Sequence, residues 1–248
     1  MSKKCEIVAH RGASWDAPEN SLASVQLAVE HQAAWIELDI RTTCDGELVA
    51  FHDPTLNRTA GVEGSIEGMD WADLRLLDIG KWKAPQYAGE RIPRLAEVLE
   101  VLPDEVGLFI ELCLEKDAVG TVEKVLKDSS RPERHTVISF REQSLIASKQ
   151  RWPDNRHLFL LGGASDDWRR ELESALAFVE KNELDGLDIH YSWVEKGLVK
   201  RSDFPANPFE VHFWTVNDWS TGHQLYEWGA DGLTTDRAGL FLKELNAL

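Results

Sequence analysis

Short runs of β-forming apolar residues alternate with amphipathic stretches along almost the whole chain. Nine runs have the composition of strands, namely residues 7–10, 35–40, 48–52, 107–112, 136–140, 157–161, 186–190, 211–216 and 232–236. Six stretches between them repeat apolar residues at helical spacing, namely residues 21–31, 95–102, 118–127, 143–151, 168–182 and 221–228. This alternation predicts a parallel sheet wrapped by helices.

The third run has no room for a crossover helix before it. Only seven residues separate it from the second run, and they include the turn signal Asp45-Gly46. Residues 48–52 are therefore predicted to return antiparallel to the second run. Folding about Asp45 pairs position 52 with position 38, which brings His52 beside Glu37 and Asp39 at one mouth of the sheet.

Eight parallel strands remain, and 248 residues is a usual length for an eight-stranded α/β barrel. The sequence thus predicts a single domain over residues 1–248 with the (βα)8 TIM barrel fold. Residues 54–92 interrupt the alternation of strands and helices, because they contain five glycines and one short helix candidate at 71–77. A structureless connection of this length is uncommon in a compact domain. We expect a small inserted subdomain, or lid, after the second barrel strand.

The charge balance limits the partners of the protein. With 27 basic and 43 acidic residues, the formal net charge is −16 at pH 7, which argues against nucleic acid and anionic membranes. The three cysteines have neither disulfide-framework nor zinc-motif spacing. No run approaches the roughly 20 apolar residues of a membrane span, and no secretory apolar region follows the N-terminus. We expect a cytoplasmic protein without a stable membrane anchor; the oligomeric state stays open.

Acidic residues interrupt two of the apolar runs. Glu37 and Asp39 lie two residues apart, so a strand presents both carboxylates on one face and its apolar residues on the other. Two buried carboxylates repel each other unless a cation lies between them, and oxygen ligands suit Mg²⁺ or Ca²⁺. Glu111 lies within the fourth run and is a candidate third oxygen ligand. The alternatives are surface acids on an edge strand for the first two and a salt bridge for Glu111.

The first run ends in His10-Arg11-Gly12, followed by residues 18–21 with the sequence Pro-Glu-Asn-Ser. Functional residues of barrels collect at the ends of strands. An imidazole can transfer protons, and a guanidinium suits phosphate oxygens. The residues 19–21 have a second interpretation, as the cap of the helix that follows.

In these motifs the sequence resembles the glycerophosphodiester phosphodiesterase family. The resemblance rests on His10-Arg11-Gly12, on residues 18–21, on Glu37-Leu38-Asp39 with Asp45-Gly46, and on residues 51–54, 56–59, 89–93, 110–111, 214–217, 231–232 and 235–236. It implies a phospholipase-C-like (βα)8 barrel with an insertion after the second strand. It also implies hydrolysis of glycerophosphodiesters to sn-glycerol 3-phosphate and an alcohol.

The resemblance further implies residue roles. It makes His10 and His52 the acid–base pair and Arg11 a phosphate contact, with a divalent cation, Mg²⁺ or Ca²⁺, on the acids Glu37, Asp39 and Glu111. One position departs from the family, which usually has a lysine where this chain has Cys113. Cys113 and Trp214 are further candidates for contact with the small-molecule phosphodiester.

Two alternatives to this function stay open. One is a related phosphodiesterase with another substrate, such as a lysophospholipase-D-like enzyme or one acting on sugar phosphodiesters. The other is a phosphodiester-binding protein whose catalysis is impaired by the missing lysine. Both histidines and all three acids are present, which favours an enzyme, because a binding protein needs no acid–base pair.

Overall fold

Within residues 5–247, which a computed structural model of the protein describes, strands and helices alternate. The strands are β1 (Glu6–Ala9), β2 (Trp35–Thr42), β3 (Leu48–Ala50), β4 (Gly107–Leu112), β5 (Thr136–Ser139), β6 (Arg156–Leu161), β7 (Gly186–His190), β8 (Glu210–Trp214) and β9 (Gly232–Thr235). The helices are α1 (Leu22–Glu30), α2 (Asn57–Ala60), α3 (Trp71–Leu74), α4 (Leu95–Val101), α5 (Val119–Leu126), α6 (Glu142–Arg151), α7 (Trp168–Lys181), α8 (Ser192–Glu195), α9 (Trp219–Trp228) and α10 (Ala238–Leu245). No helix in this range is long and apolar enough to cross a membrane.

Eight of the strands close into a ring of parallel neighbours. The ring runs β1, β9, β8, β7, β6, β5, β4 and β2, and the pairing of β1 with β2 completes it. β3 pairs antiparallel with β2 outside the ring, with Ile40 opposite Ala50 and Thr42 opposite Leu48. This register is the one predicted from folding about Asp45. The (βα)8 barrel and its antiparallel hairpin are thus confirmed.

The register determines which side chains enter the barrel, because paired residues on neighbouring strands share a face of the sheet. Asp39 is level with Glu111, and Glu111 is level with Ile138. Ile138 belongs to a buried apolar cluster inside the ring, with Val8, Phe109, Leu158 and Leu160. The acids of β2 and β4 therefore point inward. A larger cluster packs the outer face of the sheet against the helices.

The insertion has a hydrophobic cluster of its own. Its members are Leu56, Ile66, Leu74, Ile79 and Ile92, together with Val49 and Phe51 from the hairpin. The predicted helix at 71–77 is a single turn, Trp71–Leu74. The segment 54–92 thus packs on the hairpin through side chains that it supplies itself.

Several elements differ from the predictions. The six predicted helical stretches do not include the short helices α2 and α8, or α10, which packs on β1. The third strand ends at Ala50 rather than at His52, because the chain turns there into the insertion. His52 therefore follows the strand, although the bond from the Phe51 amide to the Asp39 carbonyl, 2.9 Å long, extends the pairing.

Arg156 closes the barrel at the N-terminal ends of the strands. Its guanidinium lies 2.9 Å from Glu6 and 2.9 Å from Glu210, and it stacks over the rings of Trp35 and Phe109. The pairing with these carboxylates outweighs burial and raises the pKa of Arg156. A buried charge is tolerated when it is paired and hydrogen-bonded. This end is therefore filled, and the opposite end is left for a site.

Replacing Arg156 with methionine is expected to lower the free energy of unfolding by about 1–3 kcal/mol, because the half-buried carboxylates of Glu6 and Glu210 lose a charged partner. Urea denaturation measures the loss. Arg151→Met removes an exposed ion pair with Glu123 and serves as the matched control, with an expected change of about 0–1 kcal/mol. Equal losses in the two variants would contradict the role of Arg156.

Candidate active site

Three carboxylates converge inside the barrel near the C-terminal ends of β2 and β4. Glu37 and Asp39 are 2% and 1% exposed, and Glu111 is level with Asp39 on the neighbouring strand. Burial, followed by the charge of Asp39, raises the pKa of Glu111 to about 7. The same two causes, with Glu111 in addition, raise the pKa of Glu37 well above its ordinary range. The acids thus repel one another in a poorly hydrated space.

Arg11 is the cation that contacts this group of acids. Its Nε lies 3.1 Å from Asp39 Oδ2, and its backbone N–H donates to Glu37 Oε2 over 2.9 Å. Both contacts depend on a left-handed backbone at Arg11, with φ of 53°. The carboxylates of Asp39, Glu19 and Glu37 outweigh burial and raise the pKa of Arg11. The guanidinium therefore stays charged.

A close contact with α1 explains why the His-Arg-Gly motif ends in glycine. Gly12 has φ of 81°, and a Cβ at this position would lie 2.3 Å from Ser24 Oγ. Ser24 Oγ in turn donates to the carbonyl of Arg11 over 2.9 Å. Only glycine allows α1 to approach the strand end this closely.

Residues 19–21 serve the site and the helix together. Asn20 donates from Nδ2 to Asp39 Oδ2 over 2.7 Å and accepts from the Asp39 amide over 3.1 Å. Glu19 binds both Arg11 and Arg58. Ser21 caps α1, accepting from the Ser24 amide. Both interpretations of this motif therefore apply, to different residues.

His10 is held by a carboxylate from the last barrel strand end. Its Nδ1 lies 2.6 Å from Asp236 Oδ1, and its Nε2 lies 3.8 Å from Glu37 Oε2. Asp236 also accepts from Ser14 Oγ and Asn217 Nδ2. Burial alone would raise the pKa of Asp236, but the hydrogen bonds from His10, Ser14 and Asn217 lower it to about 2.

His52 has the same kind of partner. Its Nδ1 lies 2.6 Å from Asp53 Oδ1, and Arg58 Nε donates to the other oxygen of Asp53 over 2.8 Å. The Arg58 hydrogen bond is the main cause of the lowered pKa of Asp53. The His52 side chain is 42% exposed and that of His10 only 15%. A carboxylate on Nδ1 fixes each imidazole and leaves Nε2 for proton transfer.

A cavity of about 150 Å³ opens between these groups. It is lined by His10, Arg11, Glu37, His52, Glu111, Ile138, Phe140, Leu160, Asp188, Trp214, Thr215 and Thr234. The Trp214 indole donates to the carbonyl of Asp188 over 3.1 Å, and Phe140 and His190 meet its ring edge to face. Five of the predicted residues besides Trp214 line this one space, and Asp39 and Cys113 lie beside it.

The carboxylates fit a hard divalent cation. Ligand atoms of Asp39, Glu111 and Cys113 lie within 4.8 Å of one another. Glu37 Oε1 is buried and accepts no hydrogen bond from the residues that the structure describes. The Cys113 thiol lies 3.3 Å from Glu111 Oε1, and burial and that carboxylate raise its pKa. A neutral thiol is a weak ligand for Mg²⁺ or Ca²⁺, so the oxygen atoms are the donors.

Sequence reasoning missed the partners of the two histidines. Asp53 directly follows His52, so its position next to an imidazole was a usable signal. Asp236 is 226 residues from His10, and only the convergence of strand ends in a closed barrel connects them. Asp188 is buried in β7 and lines the cavity, and its sequence signal is an acid within the apolar run 186–190.

The acids, the paired histidines and Arg11 lie together at the C-terminal mouth of a TIM barrel, and the similarity to known proteins assigns the chain to the phosphoric diester hydrolases. The model of the glycerophosphoryl diester phosphodiesterase family matches residues 10–240. Glycerophosphodiester phosphodiesterases of Bacillus subtilis and Caldanaerobacter subterraneus are 30% and 31% identical to the chain. They align over 95% and 94% of this chain and over 85% and 94% of their own lengths, respectively.

A solved structure agrees with these matches. The phosphodiesterase of Oleispira antarctica in complex with sn-glycerol-3-phosphate superposes with a TM-score of 0.86 at 31% identity, over 97% of this chain and 96% of that one. The chain belongs to the glycerophosphoryl diester phosphodiesterase family, and it is a phosphodiesterase.

Replacing Asp236 with asparagine tests its charge in the folded protein. The folded-state pKa of about 2 lies below the unfolded value of about 3.9, so the carboxylate stabilises the fold above pH 4. This contribution, about 1–2 kcal/mol, is lost as the pH falls toward 2. Urea denaturation at pH 7, 5, 4 and 3 should show a difference between wild type and Asp236→Asn that shrinks below pH 4. The exposed Asp166→Asn is the control, and a pH-independent difference for Asp236→Asn would refute the expectation.

Proposed function

We propose that the protein hydrolyses glycerophosphodiesters to sn-glycerol 3-phosphate and an alcohol, with a divalent cation bound by Glu37, Asp39 and Glu111. The observation that carries this proposal is the pair of carboxylate-held histidines facing one cavity with three buried acids. The Oleispira antarctica relative was solved with sn-glycerol-3-phosphate. The three free thiols suit a reducing compartment, and we assign the activity to the cytoplasm.

Each group has a defined task in this reaction. When bound, the cation supplies positive charge to the non-bridging oxygens of the phosphodiester. Arg11 adds a second, fixed positive charge at the same oxygens. One histidine accepts the proton of the attacking oxygen, which belongs to water or to a neighbouring substrate hydroxyl. The other histidine donates a proton to the alkoxide as its bond to phosphorus breaks.

A second candidate keeps this chemistry and changes the diester. Cys113 favours it, because a neutral thiol contributes no charge where the family usually has a lysine. Lysophospholipids and sugar phosphodiesters are then the substrates to compare with glycerophosphodiesters.

A coupled assay with glycerol-3-phosphate dehydrogenase over several glycerophosphodiesters tests the function. We expect turnover that EDTA abolishes and that Mg²⁺ or Ca²⁺ restores. His10→Ala and His52→Ala should each slow turnover about 10²–10⁴-fold, the range typical of general acid–base catalysis. His223→Ala, on the outer helix α9, is the matched control with unchanged rates.

Three results would contradict this proposal in different ways. Full activity in EDTA, or no loss in Glu111→Gln, would remove the cation. A near-normal kcat in His52→Ala would remove that histidine from the chemistry. Binding of glycerophosphodiesters without their turnover would contradict the proposed substrate class.

Cys113→Lys is expected to raise kcat/KM on simple glycerophosphodiesters by about 10-fold, because an ammonium group replaces a neutral thiol beside the phosphate. The measurement is the same coupled assay. Cys44→Lys introduces the same charge at an exposed position and should change nothing. If Cys113→Lys gains no activity and wild type is already as fast as lysine-bearing relatives, another group supplies the charge.

The insertion is proposed to select the alcohol of the substrate. Lys83 Nζ donates to the Ser14 carbonyl over 2.6 Å and Tyr87 to the Asp16 carbonyl over 3.0 Å, so residues 54–92 contact the loop after β1. Trp82, 41% exposed, lies between Arg58 and Lys83. Arg58 also binds Glu19, the partner of Arg11, which supports an aromatic surface at the rim of the site.

Trp82→Ala should change the relative kcat/KM among diesters with different alcohols several-fold, while the cation concentration for half-maximal activity stays constant. Rates on glycerophosphodiesters of choline, ethanolamine and inositol measure the effect. Leu76→Ala, an exposed apolar residue of the same insertion, is the control. Equal effects of Trp82→Ala on every diester would indicate a structural insertion.

A further inference from the structure

Two residues at the inner end of the cavity, Asp188 and Thr234, have no role in the proposed chemistry. Asp188 and Thr234 lie two residues before His190 and Asp236 on their strands. Two residues of a strand span about 6.6 Å. Both side chains line the cavity. Because of this two-residue offset, they lie deeper in the barrel than His10, which is held by Asp236.

These two residues have unused hydrogen-bonding capacity. Asp188 is 1% exposed and Thr234 is 2% exposed. Both carboxylate oxygens of Asp188 and the hydroxyl of Thr234 are buried, and residues 5–247 provide no hydrogen-bond partner for them. Buried polar groups in native proteins are normally paired, and an exception calls for an explanation.

Packing gives no such explanation. Two other residues that line the cavity, Ile138 and Leu160, belong to the apolar cluster inside the barrel. Leu160 is paired with Asp188 across β6 and β7. A leucine would continue this cluster, whereas a carboxylate there costs desolvation energy. Burial, with the charge of Glu111, raises the pKa of Asp188 to about 8, which reflects that cost.

We propose that Asp188 and Thr234 form a hydroxyl-binding subsite at the inner end of the catalytic cavity, selecting phosphodiesters whose phosphate-linked fragment carries free hydroxyl groups. A hydroxyl donates one hydrogen bond and accepts others. One hydroxyl can therefore donate to one oxygen of Asp188 and accept from Thr234, and a second hydroxyl of the same fragment can donate to the other oxygen. A quaternary ammonium group has no N–H to donate and leaves the Thr234 hydroxyl without an acceptor.

The inference rests on the proposed function for its substrate class, because the glycerol of a glycerophosphodiester carries such hydroxyls. A site built to hydrogen-bond a hydroxyl strongly rejects an analogue without it, since its polar groups are then left unpaired. The subsite thus predicts discrimination by the cavity interior, separate from the alcohol selection proposed for residues 54–92.

Two chromogenic diesters test the subsite, glyceryl 4-nitrophenyl phosphate and propyl 4-nitrophenyl phosphate, which differ only in two hydroxyls. Wild type with Mg²⁺ should prefer the glyceryl diester by roughly 10–100-fold in kcat/KM. Asp188→Leu should bring this ratio close to 1, mainly by losing activity on the glyceryl diester. Thr234→Val, which is isosteric, should reduce the ratio to a smaller extent.

Thr42→Val is the matched control. Its hydroxyl is also buried without a partner among the described residues, but Thr42 alternates with the inward Asp39 and Arg41 and faces away from the cavity. The ratio in this variant should equal that of wild type. The melting temperature of Asp188→Leu should be no lower than that of wild type, because an unpaired buried carboxyl is removed. Should Asp188→Leu fail to fold, Thr234→Val gives the result.

Calorimetric binding of sn-glycerol 3-phosphate and propyl phosphate separates this inference from the proposed function. An unchanged substrate ratio in folded Asp188→Leu and Thr234→Val overturns the subsite and leaves the hydrolase intact. If wild type hydrolyses neither diester but binds the glyceryl phosphate more tightly, and Asp188→Leu loses that preference, the hydrolase proposal fails and the subsite stands. If wild type shows neither turnover of these diesters nor a binding preference, both proposals are overturned.

Discussion

Repulsion among buried carboxylates at the ends of β2 and β4 is the interaction on which the rest of the site depends. Glu37, Asp39 and Glu111 enter the barrel because strand pleating and parallel pairing leave them no other face. Burial raises the pKa of both glutamates, so the arrangement persists only with compensating donors and cations. Three residues of the loop after β1 supply or position them. Arg11 adopts a left-handed backbone, and Gly12 allows α1 to approach. The Asn20 side chain donates to the carboxylate of Asp39 and accepts from its backbone amide.

The two ends of the barrel solve the same electrostatic problem in opposite ways. At the N-terminal end, Arg156 satisfies Glu6 and Glu210 internally and is covered by aromatic rings. These ion pairs contribute stability at that end. At the C-terminal end the acids outnumber the cations that reach them, and Glu37 Oε1 accepts from no residue of the described chain. Charge left uncompensated by the protein is charge available to a ligand, and this asymmetry locates function on one face of a nearly symmetric fold.

How far the sequence predicts this structure depends on the distance over which each signal acts. The hairpin register follows from seven residues and one turn, and the shared face of Glu37 and Asp39 follows from a two-residue period, so both were predictable. The pairing of His10 with Asp236 follows from ring closure, which no local pattern contains. Helix α10 was missed because it lies directly after the final strand, with no further strand to mark it as a crossover. The sequence also does not predict the face and depth of Asp188 in the cavity, because both depend on its register with Leu160.

The position of Cys113 connects these observations through charge. Its thiol faces Glu111 and Asp39, and burial with those acids raises its pKa, so it is neutral at any physiological pH. A lysine there would neutralise one acid permanently and reduce the need for other cations. Without it, Arg11 is the guanidinium that contacts Asp39 directly, and it is already shared with Glu19 and with the backbone contact to Glu37. Asp188 adds a fourth buried carboxyl to the same cavity. The electrostatics of this chain therefore favour occupants that bring positive charge or hydroxyl donors.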